Sequence, residues 1–172
     1  MNNPFDRLPQ VPTFELRSAA AVDGRPLPPA QMSGAFGSPG GQDISPDLTW
    51  SGAPEGTKSY AVTMYDPDAP TMSGFWHWAV ANIPTTVTAL PAGADLPEGA
   101  IQLPNDARMP QYIGAAPPAG HGPHRYFITV HALDVEDIGV PAEGTPAFLG
   151  FTMASHILAR ATIVATAETP AA

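Results

Sequence analysis

Residues 66–70 read Asp-Pro-Asp-Ala-Pro, and this short acidic turn constrains the chain more than any other stretch. Pro67 and Pro70 lack a backbone N–H and fix φ, and each pushes its predecessor out of the helical region. Neither a helix nor a central strand continues through such a segment. Before it, residues 60–65 (YAVTMY) alternate and are rich in β-favouring side chains, which predicts a strand. After it, Thr71-Met72-Ser73-Gly74 is loop chemistry, and residues 75–83 resume as a strand that stops at Pro84. Asp66 and Asp68 are therefore predicted at the end of a sheet, held by local geometry. Strict alternation along the second strand puts Phe75, His77 and Ala79 on one face and Trp76, Trp78 and Val80 on the other. His77 is thus expected opposite the two tryptophans. Taken alone this is commonplace, because Asp-Pro starts many turns and a strand histidine is more often a satisfied core residue than a ligand.

A later stretch, residues 120–133 (GHGPHRYFITVHAL), changes the odds. Residues 125–133 form the strongest strand signal in the chain. His124 and Tyr126 are two apart and point to one side, while Arg125 and His131 point to the other. His124 follows Gly122-Pro123 at a strand mouth, where ligand groups are commonly placed. His121 reads as part of a flexible loop and His131 as structural.

Elsewhere, residues 13–18 (TFELRS) predict a first strand, and residues 41–50 (GQDISPDLTW) run into another with Leu48 and Trp50 in the core. Residues 85–109 are polar and proline-broken, with a weak strand patch at 100–103. Thr145 and Pro146 suit the N-cap and first position of a helix. That helix is expected to reach about residue 160 and to pack Phe148, Phe151, Ala154 and Leu158 on the sheet. Residues 161–167 predict a final strand. Residues 1–12 read as a flexible N-terminal arm and 169–172 as a frayed tail, which leaves 13–168 as one domain. At least six strands against one helix predict a mainly β, antiparallel fold. The 22 prolines and 16 glycines are spread without a repeat, and 44% of residues are hydrophobic, which suits a loop-rich β fold better than disorder.

Charge and cysteine content narrow the function. Seven basic against sixteen acidic residues give a formal net charge of −9. That argues against nucleic acid as a partner and disfavours docking on an anionic membrane through charge. The chain has no cysteine, so disulfides, thiol catalysis and cysteine-built zinc sites are excluded. No basic start leads into an apolar run, and the most apolar stretch, residues 148–167, is broken by His156 and Arg160. Neither a secretion signal nor a membrane-spanning segment is expected, and a cytoplasmic location is the default.

Several separated motifs stand in one order. They are Ser45-Pro46 with Leu48 and Trp50, the turn at 66–70, His77-Trp78 with Asn82-Ile83-Pro84, and Gly122-Pro123-His124-Arg125-Tyr126. Together they resemble the phosphatidylethanolamine-binding protein (PEBP) family, also called Raf-kinase-inhibitor-like proteins, and within it the bacterial and archaeal branch. The resemblance runs from about residue 14 to about residue 167. It implies a PEBP-like β-sandwich, a large antiparallel sheet packed with a smaller one, with few peripheral helices and one helix near the C-terminus. It also implies an anion pocket built from Asp66, Asp68, His77, His124 and Tyr126, with Ala116 and Pro118 on its rim. Eukaryotic relatives usually carry glycine where Ala116 stands, and the C-terminal aromatic that closes the site in some animal members has no counterpart after Phe151. Homodimers are common in the bacterial branch, so one is expected here.

Two carboxylates in an anion pocket can be reconciled in two ways. An aspartate bonded to an imidazole favours the imidazolium, which is then a charged donor to phosphate. That is the role expected of Asp66. Alternatively a zwitterionic headgroup fits, its phosphate on the imidazoles and Tyr126 and its ammonium on a carboxylate. Asp68 stands between turn-stabiliser and ammonium partner. The function expected first is binding of a phosphate-bearing small molecule or a phospholipid headgroup of the phosphoethanolamine type. The second is regulation of a kinase or protease through protein–protein contact. An enzyme comes third: acid–base groups are present, but there is no G-x-S-x-G element and no cysteine nucleophile. A metal site of His77, His124 and Asp66 lacks a compact ligand pair. The expectation is therefore a non-enzymatic binding protein with no cofactor and no metal.

Overall fold

A computed structural model describes residues 3–171. Met1 and Asn2 of the expected arm, and Ala172 of the expected tail, lie outside the described residues. The strands, in chain order, are β1 (Glu15–Arg17), β2 (Leu48–Ser51), β3 (Ser59–Asp66), β4 (Phe75–Pro84), β5 (Ala89–Leu90), β6 (Ile101–Gln102), β7 (His124–Leu133) and β8 (Ile157–Ala167). One α-helix, α1 (Pro146–Met153), precedes β8, and a short 3-10 turn spans Pro29–Gln31. A small sheet has the order β1-β2-β5 and a large one the order β6-β4-β3-β7-β8. All pairings within them are antiparallel. The mainly β, two-sheet fold expected from the sequence is the fold observed.

β3 sits at the centre of the large sheet and is covered on both faces, so nearly all its residues are buried. One face meets the small sheet. Tyr60, Val62, Met64, Trp78, Tyr126 and Ile128 pack there with Leu48 and Trp50 in a single core. Trp50 stands edge-on to Tyr60, with ring centroids 5.3 Å apart. On the other face Ala61, Ala79 and Ala81 are small enough to let Leu149 and Met153 of α1 approach the sheet.

Alternation along β4 fails at two points. Tyr65 pairs with Trp76 while Met64 pairs with Trp78, so His77 is an extra residue opposite a single step of β3. This β-bulge turns His77 to the same side as Trp78. Trp76 faces the outer side with Tyr65, their rings 4.4 Å apart. The expectation that His77 lies opposite both tryptophans therefore holds for Trp76 and fails for Trp78. A second register shift falls between Tyr60 and Val62, near Asn82, whose φ is 58°.

The C-terminal helix also differs from expectation. Its start is as read, with the Thr145 hydroxyl accepting from Phe148 N at 3.1 Å. It ends at Met153, and β8 begins at Ile157, because residues 157–167 pair with β7 along its whole length. The buried face is Pro146, Leu149 and Met153, while Phe148 and Phe151 are 44% and 79% exposed. Helical spacing counted from Phe148 gave the wrong stripe, because the buried one contains no phenylalanine. Residues 3–12 run over β7 and β8: Phe5 stands edge-on to Phe127, and Arg160 N donates to the Pro12 carbonyl at 3.0 Å. No helix among the described residues is long and apolar enough to cross a membrane.

Candidate functional site

The end of β3, the bulge of β4 and the start of β7 converge at one edge of the large sheet. Between them lies a cavity of about 150 Å³, lined among others by Asp66, His77, His124, Tyr126, Ala116 and Pro118. Six of the seven residues expected at the site thus stand together. The seventh, Asp68, does not line the cavity.

The acidic turn explains both aspartates. Asp66 Oδ1 accepts from the backbone N–H of Asp68 at 2.7 Å and of Ala69 at 3.0 Å, so the side chain closes the turn that the prolines begin. Its Oδ2 faces His124 Nδ1 at 2.8 Å. Asp68 points the other way. Its Oδ2 accepts from Arg125 N at 2.9 Å and Nε at 2.8 Å, and its Oδ1 from Nη2 at 2.8 Å. These bonds to Arg125 hold the Asp68 carboxyl below the usual range. Of its two expected roles, turn-stabiliser is the one these contacts describe. Gly74 closes the loop after the turn with φ at 71°, and a Cβ there would run into the Tyr65 hydroxyl and the Asp66 carbonyl.

His124 and Tyr126 project from alternate positions of β7 to the same side. A carboxylate only accepts, so His124 Nδ1 carries a proton and donates it to Asp66. The opposite nitrogen, Nε2, lies 2.7 Å from Nδ1 of the exposed His121. The result is a chain from a buried carboxylate through a buried imidazole to a surface imidazole. Its surface end sits between Gly120 and Gly122, both at positive φ. The sequence reading left His121 in a flexible loop, and its three-residue spacing from His124 was the signal available.

His77 is only 4% exposed. Its Nδ1 donates to the Ile113 carbonyl at 3.0 Å, which leaves Nε2 as the ring nitrogen for the cavity. Burial pushes its pKa down to about 4, against the pull of that bond and of the Asp66 charge. At neutral pH His77 is therefore an uncharged imidazole. Tyr126 is fully buried, and its hydroxyl has no hydrogen-bond partner. Burial, with the negative charge of Asp66 nearby, raises its pKa, so it stays a protonated donor.

The rim is held from behind. Ile113 N donates to the His77 carbonyl at 3.0 Å, and Gly114 N to Asp43 Oδ1 at 2.8 Å. A Cβ on Gly114 would overlap the Met32 carbonyl, so the close approach there requires glycine. Two further residues escaped the sequence reading. Asp43 anchors the rim from an irregular stretch, and Phe36, 53% exposed, stands edge-on to Phe75 at the cavity mouth. Neither belongs to a regular element whose periodicity marks its direction.

Comparison with known proteins agrees with this architecture. The family model for phosphatidylethanolamine-binding protein matches residues 17–168. The chain is 46% identical over 160 residues to the UPF0098 protein YbcL of Escherichia coli K12, covering 90% of this chain and 87% of that protein. The crystal structure of Escherichia coli YbcL, described as a new member of the mammalian PEBP family, superimposes with a TM-score of 0.86 at 45% identity, covering 90% of this chain and 98% of that one. A PEBP homologue from Chlamydia trachomatis, CT736, gives a TM-score of 0.78 at 33% identity over 91% of this chain and 98% of that one. With the matched residues spanning both sheets and every side chain of the cavity, the chain belongs to the phosphatidylethanolamine-binding protein family, in its bacterial branch.

Proposed function

We propose that the cavity bounded by Asp66, His77, His124 and Tyr126 binds a phosphate group, free or carried on a small molecule or lipid headgroup, and that the chain is a binding protein and not an enzyme. The observation that carries this reading is the Tyr126 hydroxyl, buried without a partner beside the cavity. A buried donor left unpaired costs about 1–3 kcal/mol, so a ligand oxygen accepting from it recovers that loss. His124 lies alongside with Nδ1 held by Asp66 and Nε2 by His121, so an anion reaching this imidazole competes with His121 for Nε2. His77 offers Nε2, which accepts from a protonated phosphate oxygen or takes up a proton as the anion arrives.

The volume of about 150 Å³ supports a headgroup and not a whole lipid, since pockets for larger ligands run to roughly 300–1,000 Å³. The ammonium of a zwitterion gains little here, because Asp68 is committed to Arg125 and Asp66 already accepts from three donors.

Calorimetric titration of phosphate, phosphoethanolamine and sulfate into wild type and His124→Ala tests the reading, at about pH 6 and about pH 8, an interval over which His77 stays neutral. Sulfate keeps its charge over this interval, whereas phosphate changes its own near about pH 6. Binding of phosphate and of sulfate that is lost in the variant supports the site. Absence of binding by every anion would sink it and would favour protein–protein regulation through another surface.

A further inference from the structure

The outer face of the large sheet carries a second and larger cavity, of about 530 Å³, on the side away from the small sheet. Phe5 and Leu8 of the N-terminal segment bound one side and Met153 and Ile157 the other, with Trp76 and Phe127 along the sheet. The floor is polar. Thr63, His131 and Arg160 lie there, and His131 and Arg160 are directly opposed across β7 and β8.

Two of these polar groups are incompletely used. His131 is 3% exposed, with Nε2 3.0 Å from the Thr63 hydroxyl and Nδ1 without a partner. Burial, and secondarily the charge of Arg160, pushes its pKa down to about 3, so the ring is neutral. The neutral ring carries one proton: Nε2 shares a hydrogen bond with the Thr63 hydroxyl, and Nδ1 has no partner in either tautomer. Arg160 donates from Nη2 to the Pro9 carbonyl at 2.9 Å and lies over the Phe5 ring at 5.0 Å. Its Nε is buried without a partner, and no carboxylate pairs with it among the described residues. Arg160 is thus a partly buried guanidinium that lines an apolar groove with no carboxylate beside it, and burying a charge unpaired is costly.

We propose that this groove is a second ligand site, for an amphipathic carboxylate: an apolar chain lies along Phe5, Trp76 and Phe127, and the carboxylate meets Arg160 and His131. The Arg160 guanidinium supplies one positive charge and a forked set of donors, which matches a monocarboxylate in charge and planarity, and bound carboxylate selects the His131 tautomer with its proton on Nδ1. The apolar walls account for chain binding, and Thr71 is the one lining residue the groove shares with the phosphate cavity.

The test is a titration of decanoate, 1-decanol and butyrate into the wild-type chain, below decanoate's micelle threshold. Tryptophan emission reports binding, and Trp76→Phe assigns the signal. Saturable binding of decanoate is expected, with 1-decanol and butyrate each weaker by about tenfold or more, as loss of a charge-assisted bond or of apolar contact implies. Arg160→Gln should bring decanoate down to the level of 1-decanol. Equal affinity for decanoate and 1-decanol, or an unchanged decanoate affinity in Arg160→Gln, overturns the proposal. Should that variant fail to fold, amide spectra of the labelled wild type decide alone. Decanoate-induced shifts at Trp76, Phe127 and Ile157 support the groove, and shifts confined to His77 and Tyr126 overturn it.

Discussion

Asp66 Oδ2 lies 2.8 Å from His124 Nδ1, and both side chains are under 5% exposed. The carboxylate fixes which ring nitrogen carries the proton, and so which one faces outward. Asp66→Asn removes a negative charge from the edge of an anion cavity, and simple repulsion predicts tighter binding. We expect the opposite. The amide no longer fixes the proton on His124 Nδ1, so the ring loses its orientation and phosphate affinity should fall by about tenfold, as loss of one oriented hydrogen bond implies. Stability should fall by about 2–4 kcal/mol, because a buried pair loses one partner. Calorimetry and urea unfolding of this variant decide it, and tighter phosphate binding would mean that Asp66 only repels.

Tyr126→Phe separates binding from stability. The hydroxyl is buried and unpaired, so its removal is expected to leave stability unchanged or to raise it by up to about 1 kcal/mol. Phosphate affinity should nevertheless drop by about tenfold, the worth of one lost donor to an anion. A variant that is both destabilised and unaltered in binding would show that the hydroxyl has a structural partner instead.

Asp68→Asn addresses the other aspartate. The Asp68–Arg125 pair is about one-fifth exposed on each side and bidentate. Its loss should cost about 1 kcal/mol by loosening the turn. The ratio of phosphoethanolamine to phosphate affinity should not change. Selective loss of phosphoethanolamine binding would instead make Asp68 the partner of an ammonium group.

What was legible in the sequence was whatever local chemistry enforces. Two prolines within four residues fix the turn at Asp66, and an alternating, β-branched run fixes β7, so the strand-end position of Asp66 and the shared side of His124 and Tyr126 were legible from pattern. The motif order carried the fold. The misplacement of Trp78 relative to His77 came from a β-bulge, which adds a residue without leaving a mark in the alternation. The helix stripe failed because an eight-residue helix offers only two turns of periodicity, and β8 takes the rest through pairing with β7. Asp43 and Phe36 reach the cavity from an irregular stretch, where direction is set by tertiary contacts.

His121→Ala concerns the surface end of the histidine chain. His121 is exposed, so its removal should cost less than about 1 kcal/mol. His124 Nε2 then loses its protein partner and becomes available to a ligand oxygen. Phosphate affinity is expected to rise a few-fold, by about 1 kcal/mol or less, since a competing neutral bond has gone. A fall in affinity would make His121 part of the anion's own donor set.

Acid sensitivity follows from the two fully buried histidines. The folded-state values of His77 and His131 are held down to about 4 and about 3 by burial. In the unfolded chain both titrate near about 6.5. Between these limits the unfolded state binds protons that the folded state refuses, so stability rises with pH there. Their contribution is complete above about pH 6.5 and is lost as the pH falls toward the folded values. From about pH 6 to about pH 5 the two together should withdraw on the order of 2 kcal/mol. Carboxylates held low, such as Asp68, act only in a more acidic window, as the pH falls through and below their ordinary value of about 3.9. His131→Leu should therefore remove about half of the loss between about pH 6 and about pH 5 while leaving the more acidic limb in place. Urea midpoints of wild type and variant at these pH values, in phosphate-free buffer, measure it directly. Parallel pH profiles would mean that His131 opens to solvent and titrates in the folded protein, and the polar floor of the outer groove would then be wet.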